Sequence, residues 1–204
     1  MKLPGIVAFA LTSALSITAS AGGIVLDNDY FQVSRDETRC GHADTDGCAQ
    51  RVIIALSDLE LPSASAARRL SRGDIAMFGA DESYQAPARG AYLEVAIKPR
   101  HPVPRAAGEN IPATKNALLY DGEEIFVFEE RLEVGDTRER HAHGPRLVVQ
   151  LNATRLRQWP DGAPEKVVET VPETPIFAPA VIHRVSNIGA QPLRGIIIEF
   201  KTRS

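Results

Sequence analysis

Two histidines two residues apart, in Gly135-Asp-Thr-Arg-Glu-Arg-His141-Ala-His143, are the residues of this 204-residue chain best spaced to do chemistry. In an extended strand, residues i and i+2 project from the same face. A His-x-His pair therefore aims two imidazole nitrogens into one space, and neutral imidazole is a common metal ligand. A third histidine, His183, stands 40 residues beyond His143 and four before Asn187. Brought together, the three could hold a divalent ion and leave coordination positions open. Without a metal they would be a buried, hydrogen-bonded polar cluster.

The elements that must position them read as strands. Residues 51–56, 91–97, 124–128, 146–151 and 195–200 are short, β-branched and apolar, and turn signals such as Arg72-Gly73-Asp74, Asp121-Gly122 and Trp159-Pro-Asp-Gly162 separate them. Many short strands at regular spacing predict an all-β sandwich or barrel. Residues 60–72 are expected to hold a short helical turn. The chain also repeats itself: Arg51–Leu61 lines up with Arg146–Leu156, Phe78 and Tyr84 with Phe177 and His183, and Leu93–Lys98 with Ile196–Lys201. At the first of these offsets Asp46 and Cys48 take the places of His141 and His143, and Tyr84 takes that of His183. All three imidazoles belong to the second copy. Residues 24–98 and 115–202 are the expected domains, joined by a stiff connection, residues 99–114, carrying Pro99, Pro102, Pro104 and Pro112.

With these residues in place the sequence resembles the cupin superfamily. Its first motif reads Gly, five residues, His-x-His, then Glu after three or four more residues, and Gly135-x5-His141-x-His143 matches the opening part. Its second ends in His, three residues, Asn, which His183-Arg-Val-Ser-Asn187 matches. Through the repeat the resemblance covers most of residues 24–202. It implies two cupin-like barrels or jelly rolls in tandem, a bicupin with a degenerate first half. The chain departs from the pattern where the first motif expects glutamate, since Leu147 and Val148 stand there, and Ala180 replaces the second motif's Gly. By strand parity Leu147, Val149 and Leu151 are expected on the histidines' face and Gln150 on the other.

The resemblance implies a metal centre of His141, His143 and His183, with iron, zinc, copper or nickel equally suited. Neutral imidazoles leave the full +2 charge uncompensated and favour an anionic ligand such as a carboxylate, thiolate or enolate. Thiol dioxygenases are similar, being cupins with three histidines and no motif-one glutamate. The implied functions are a metal-dependent enzyme on a small anionic substrate, oxygenase ahead of isomerase, or a binding module without turnover, or a structural protein with a vestigial site. No catalytic residue is assigned. Glu199, alternating with Ile198 and Phe200, is expected on an edge or outer face. Arg138 and Glu139 are expected at the rim, His101 exposed in the connection, and Tyr84 in a core. The sequence holds no Gly-rich phosphate loop, Ser nucleophile elbow or CxxC pair.

The compartment follows from the N-terminus. Met1-Lys2 precedes a stretch that is apolar from Gly5 to about Thr18 and ends Ala19-Ser20-Ala21. A positive start, an apolar run below spanning length and a small-x-small end mark a secretory signal peptide, residues 1–21, cleaved after Ala21. A secreted or periplasmic protein is expected. Loss of Lys2 leaves 22 basic against 26 acidic groups, a net of −4, which gives no electrostatic case for nucleic acid or anionic lipid. A small-molecule ligand is the expected partner, and a homodimer is open. In an oxidising compartment the only two cysteines, Cys40 and Cys48, read as a local disulfide. It would contribute on the order of 2–3 kcal/mol. Two free thiols, or a thiolate binding metal with His42, are the alternatives.

Overall fold

Apolar residues at alternate positions, such as Phe31 and Val33 or Val52 and Ile54, bury one face of the strands that meet in the core. The computed structural model describes residues 22–38, 50–62, 67–80, 82, 84–108 and 116–202. The expected signal peptide, Cys40, Cys48, His42 and Asp46 lie outside the described residues. Seven strands form the first copy: β1 (Gly23–Asp27), β2 (Phe31–Arg35), β3 (Gln50–Ala55), β4 (Leu59–Leu61), β5 (Arg68–Leu70), β6 (Ile75–Phe78) and β7 (Tyr92–Ile97). Nine form the second: β8 (Asn116–Asp121), β9 (Ile125–Leu132), β10 (Thr137–His143), β11 (Arg146–Gln150), β12 (Arg155–Pro160), β13 (Lys166–Glu169), β14 (Pro175–Ala178), β15 (Val181–Asn187) and β16 (Leu193–Phe200). Among the described residues there is no helix.

Each copy contributes a five-stranded antiparallel sheet. The orders are β1-β2-β7-β3-β6 and β8-β9-β16-β11-β14, which is the same topology twice. The remaining sheets differ. The second copy has a four-stranded sheet, β10-β15-β12-β13, whereas the described residues of the first hold only the two-stranded ribbon β4-β5. Where a helical turn is expected over residues 60–72, Leu59–Leu61 and Arg68–Leu70 are strands, and residues 63–66 lie outside the described residues. Leu59, Leu61 and Leu70 point the same way on the ribbon and are buried with Ile53, Phe78 and Tyr92. Tertiary burial of alternate leucines favours the extended form over these residues.

The two five-stranded sheets share one hydrophobic core. Phe31, Val33, Val52, Ile54, Leu56, Leu93, Val95 and Ile97 come from the first copy. Ile125, Val127, Leu147, Val149, Leu151, Ile196, Ile198 and Phe200 come from the second. Polar contacts cross the same boundary: Arg35 and Arg72 both pair with Glu173 at 3.5 and 3.1 Å, and Gln50 Nε2 donates to Tyr120 Oη at 2.9 Å. The connection is anchored as well. His101, expected to be exposed, has a side chain only 8% accessible. Its ring lies 4.4 Å from that of Phe200 and 5.7 Å from that of Tyr30, and Nε2 bonds Glu124 at 2.6 Å. An imidazole between two aromatic rings buries apolar area that a solvated loop would leave exposed.

Because the apolar face of each large sheet is spent on the other copy, the opposite face lines its own barrel. In the second copy that interior face carries polar and charged residues.

Candidate metal centre

His141 and His143 lie on β10, and His183 lies on the adjacent β15, directly opposite His141. The alternation of β10 puts both of its histidines on the barrel face. A β-bulge between Arg138 and His141 shifts the register by one residue. The bulge leaves the carbonyl of Glu139 outside the ladder, and His141 Nδ1 lies 2.7 Å from it. A carbonyl only accepts, so Nδ1 carries the proton and Nε2 of His141 presents its lone pair. Bulges beside functional sites commonly re-aim a side chain in this way.

The three rings converge. Nε2 of His141 and Nε2 of His143 are 3.0 Å apart, and one nitrogen from each of the three lies within 4.8 Å of the others. Metal–imidazole bonds of about 2.1 Å set two ligands at a right angle about 3 Å apart, which matches the His141–His143 separation. Nε2 of His183 is buried without a hydrogen-bond partner, and leaving such an atom unmet costs about 1–3 kcal/mol. A divalent ion would meet it, so the residues present fit the group. Burial holds the basicity of all three imidazoles below the ordinary value, reinforced at His143 and His183 by neighbouring rings and by the Arg146 guanidinium. They are neutral at neutral pH, as ligation requires.

Several neighbours depart from the sequence expectations. Glu199, expected on an outer face, is 5% exposed and points into the barrel. Its Oε2 is 2.7 Å from Nδ1 of His143, and its Oε1 accepts the Gly144 N–H at 2.6 Å. Ile198 and Phe200 face the shared core, so the alternate residue faces the pocket. Burial pushes the Glu199 carboxyl up to about 7, against the opposing pull of the Gly144 N–H and Arg146. The same logic corrects β11. Leu147, Val149 and Leu151 lie in the shared core rather than on the histidines' face. The chain turns a corner at Gly144-Pro145 into another sheet, so strand parity does not carry across. Arg146 and Gln150 face the barrel instead.

Arg138, expected at the rim, is 1% exposed. It donates to Glu130 Oε1 at 2.7 Å and to the Arg131 carbonyl at 3.1 Å. The bulge explains it: the shifted register puts Arg138 opposite Val185, two residues from His183, and leaves Glu139 exposed. Sequence reasoning missed Arg146, which is buried and donates to the carbonyls of Gly144 at 3.2 Å and Pro179 at 3.0 Å. Its signal was the repeat, which pairs it with Arg51, also buried. Asn187 is fully buried but serves the loops. Its Nδ2 donates to Leu132 O and Gln191 O at 3.0 and 2.8 Å, and its Oδ1 accepts from Thr154 Oγ1 and Gly189 N at 2.7 and 3.0 Å. Tyr84 is packed in the first copy's core, stacked on Phe78 at 4.5 Å and hydrogen-bonded to Glu94.

No family model matches the sequence, and no curated protein matches it. Solved structures do. A cupin 2 conserved barrel domain protein from Leptotrichia buccalis is 18% identical over 91% of this chain and 92% of its own, with a TM-score of 0.55. AerE from Microcystis aeruginosa is 16% identical over 85% and 88%, with a TM-score of 0.51. Oxalate decarboxylase from Bacillus subtilis is 13% identical over 85% and 68%, with a TM-score of 0.53. Likeness at these identities is likeness of fold. With the sheet topology occurring twice along the chain, this protein has the all-β fold of the cupin superfamily.

Proposed function

We propose that this is an exported protein that binds a divalent metal ion through His141, His143 and His183 and acts on a small anionic organic substrate. The convergence of three buried, neutral imidazoles, one with an orphaned nitrogen, carries the reading. A metal ion bound there supplies Lewis acidity and a template for anionic oxygen or sulfur donors. The chain's own groups favour an anion too. Arg138 and Arg146 put two buried guanidinium groups in the barrel, while burial raises the carboxyls of Glu130 and Glu199 and so weakens their opposing charge. Phe128 lies parallel to the His143 ring at 6.2 Å and covers it with an apolar surface.

Oxygenase chemistry ranks ahead of isomerase chemistry because the carboxyls of Glu130 and Glu199 are engaged. Glu130 bonds Arg138, and both oxygens of Glu199 are taken. Proton abstraction from a substrate needs a base within hydrogen-bond reach and not already committed. The same commitment favours a second reading, capture of a small ligand or metal without turnover. Removal of residues 1–21 and a Cys40–Cys48 bridge belong to the proposal, and a bridge is ruled out if both thiols alkylate in the non-reduced, denatured protein.

Elemental analysis of the mature protein tests the centre. Stoichiometric metal in the wild type and its loss in His141→Ala/His183→Ala support it; equal metal in both sinks it. Oxygen uptake with thiols, diketones and hydroxy acids then separates enzyme from binder.

A further inference from the structure

We infer that Glu199 is the positioning residue of the three-histidine centre, holding His143 from outside the coordination shell in the tautomer that can bind a metal. Its importance rests on the metal-binding reading above, and its substance on hydrogen-bond geometry. Glu199 places one oxygen on each of two consecutive residues, Oε2 at 2.7 Å from His143 Nδ1 and Oε1 at 2.6 Å from Gly144 N. The backbone N–H can only donate. An ionised carboxylate can only accept, so Nδ1 of His143 carries the proton and Nε2 offers its lone pair. That lone pair faces Nε2 of His141 at 3.0 Å, whose own proton is held at Nδ1 by Glu139. Two lone pairs so placed repel unless a cation lies between them. Hydrogen-bond partners behind metal-binding histidines set their orientation and basicity in this manner.

The backbone is built around this contact. Arg146, opposite Glu199 in the β11–β16 register, donates to the carbonyl of Gly144. The Gly144 residue is thus held at its N–H by Glu199 and at its C=O by Arg146. A Cβ at position 144 would come within 2.8 Å of the Phe200 carbonyl, so glycine permits the close approach of β16. The first copy makes the contrast. Arg51 keeps the place of Arg146, but Ala96 stands opposite it, and Tyr84 replaces His183. The first copy has no carboxylate at the position of Glu199; its buried Glu94 bonds Tyr84 instead.

Glu199→Gln separates position from volume, because the amide presents one acceptor and one donor to two donors. With its oxygen on Gly144 N, its NH2 forces His143 to accept at Nδ1 and to carry the proton on Nε2. Two-bond 15N–1H spectra of the metal-free protein at about pH 8.5 assign the tautomers. The wild type is expected to carry the proton of His143 on Nδ1, and Glu199→Gln on Nε2. Zinc affinity should fall roughly 10–100-fold in Glu199→Gln and recover in part in Glu199→Asp, which keeps two acceptors. An unchanged tautomer with zinc affinity within about twofold of wild type overturns the inference. So does a wild-type His143 protonated on Nε2, a result that stands even if Glu199→Gln fails to fold. If wild-type protein binds no zinc, the metal reading falls while the tautomer contrast still decides the role of Glu199.

Discussion

Three buried imidazoles and two carboxyls raised by burial make the metal-free site sensitive to acid, and the signs oppose. Each histidine is held below its ordinary value of 6.5 in the folded state. The unfolded chain therefore takes up protons first, and stability is lost as pH falls below about 6.5, by up to about 1.4 kcal/mol per unit for each ring. Glu199 runs the other way. Raised from 4.5 to about 7, it contributes stability that is present below 4.5 and lost as pH rises to about 7. Glu130, also raised by burial, acts in the same direction as Glu199, but three groups outweigh two, so the urea midpoint of metal-free protein should drop between pH 7 and pH 5. Zinc at about a hundred times its dissociation constant should add about 2.7 kcal/mol at pH 7, and less at pH 5, where protons compete for the same nitrogens. A midpoint flat with pH in the metal-free protein would mean that the rings are not buried neutral.

At the scale of elements, the site depends on how β10 starts and how β15 ends. Gly135 sits in the turn before β10 with φ of +82°, and its N–H donates to the Asn187 carbonyl at 2.9 Å. A Cβ there would meet nothing within 4 Å, so Gly135→Ala costs only backbone strain, about 1 kcal/mol. Asn187 at the end of β15 is the heavier element. Asn187→Ala removes the acceptor of the Gly189 N–H and the side-chain donor to the Leu132 carbonyl, leaves Thr154 Oγ1 only the Gln191 carbonyl, and should cost about 2–4 kcal/mol. Urea denaturation of the two variants checks the ordering. A larger loss from Gly135→Ala would mean that the loops, rather than the buried amide, hold β10 against β15. The bulge at residues 139–140 belongs to this scale too, since it frees the Glu139 carbonyl for His141 and turns Arg138 inward.

The whole molecule is held together by the core between the copies. Eight apolar side chains from each copy meet there. At about 2 kcal/mol for each fully buried side chain, the eight from one copy amount to more than the 5–15 kcal/mol by which most domains are stable. Neither copy should therefore fold alone. Calorimetry should record one unfolding transition for the full chain, shifted as a unit by zinc, and residues 115–202 expressed alone should be unfolded or aggregated. Two separate transitions, with zinc moving only one, would mean that the shared core contributes little.

The sequence by itself determined the all-β fold, the repeat and the three histidines, because strand periodicity and the His-x-His spacing are local properties of the chain. Ile196, Ile198 and Phe200 alternate legibly with Ile197 and Glu199. Alternation separates two faces, however, without saying which is the barrel's interior. Only the packing of one copy on the other decided that the apolar faces of β11 and β16 lie between the copies, turning Arg146 and Glu199 toward the histidines. The bulge in β10 and the corner at Gly144-Pro145 were equally invisible, since each breaks the parity on which the reading of Arg138 and Leu147 rested. Burial against a distant segment is a tertiary property, and the groups that surround the three imidazoles are placed by it.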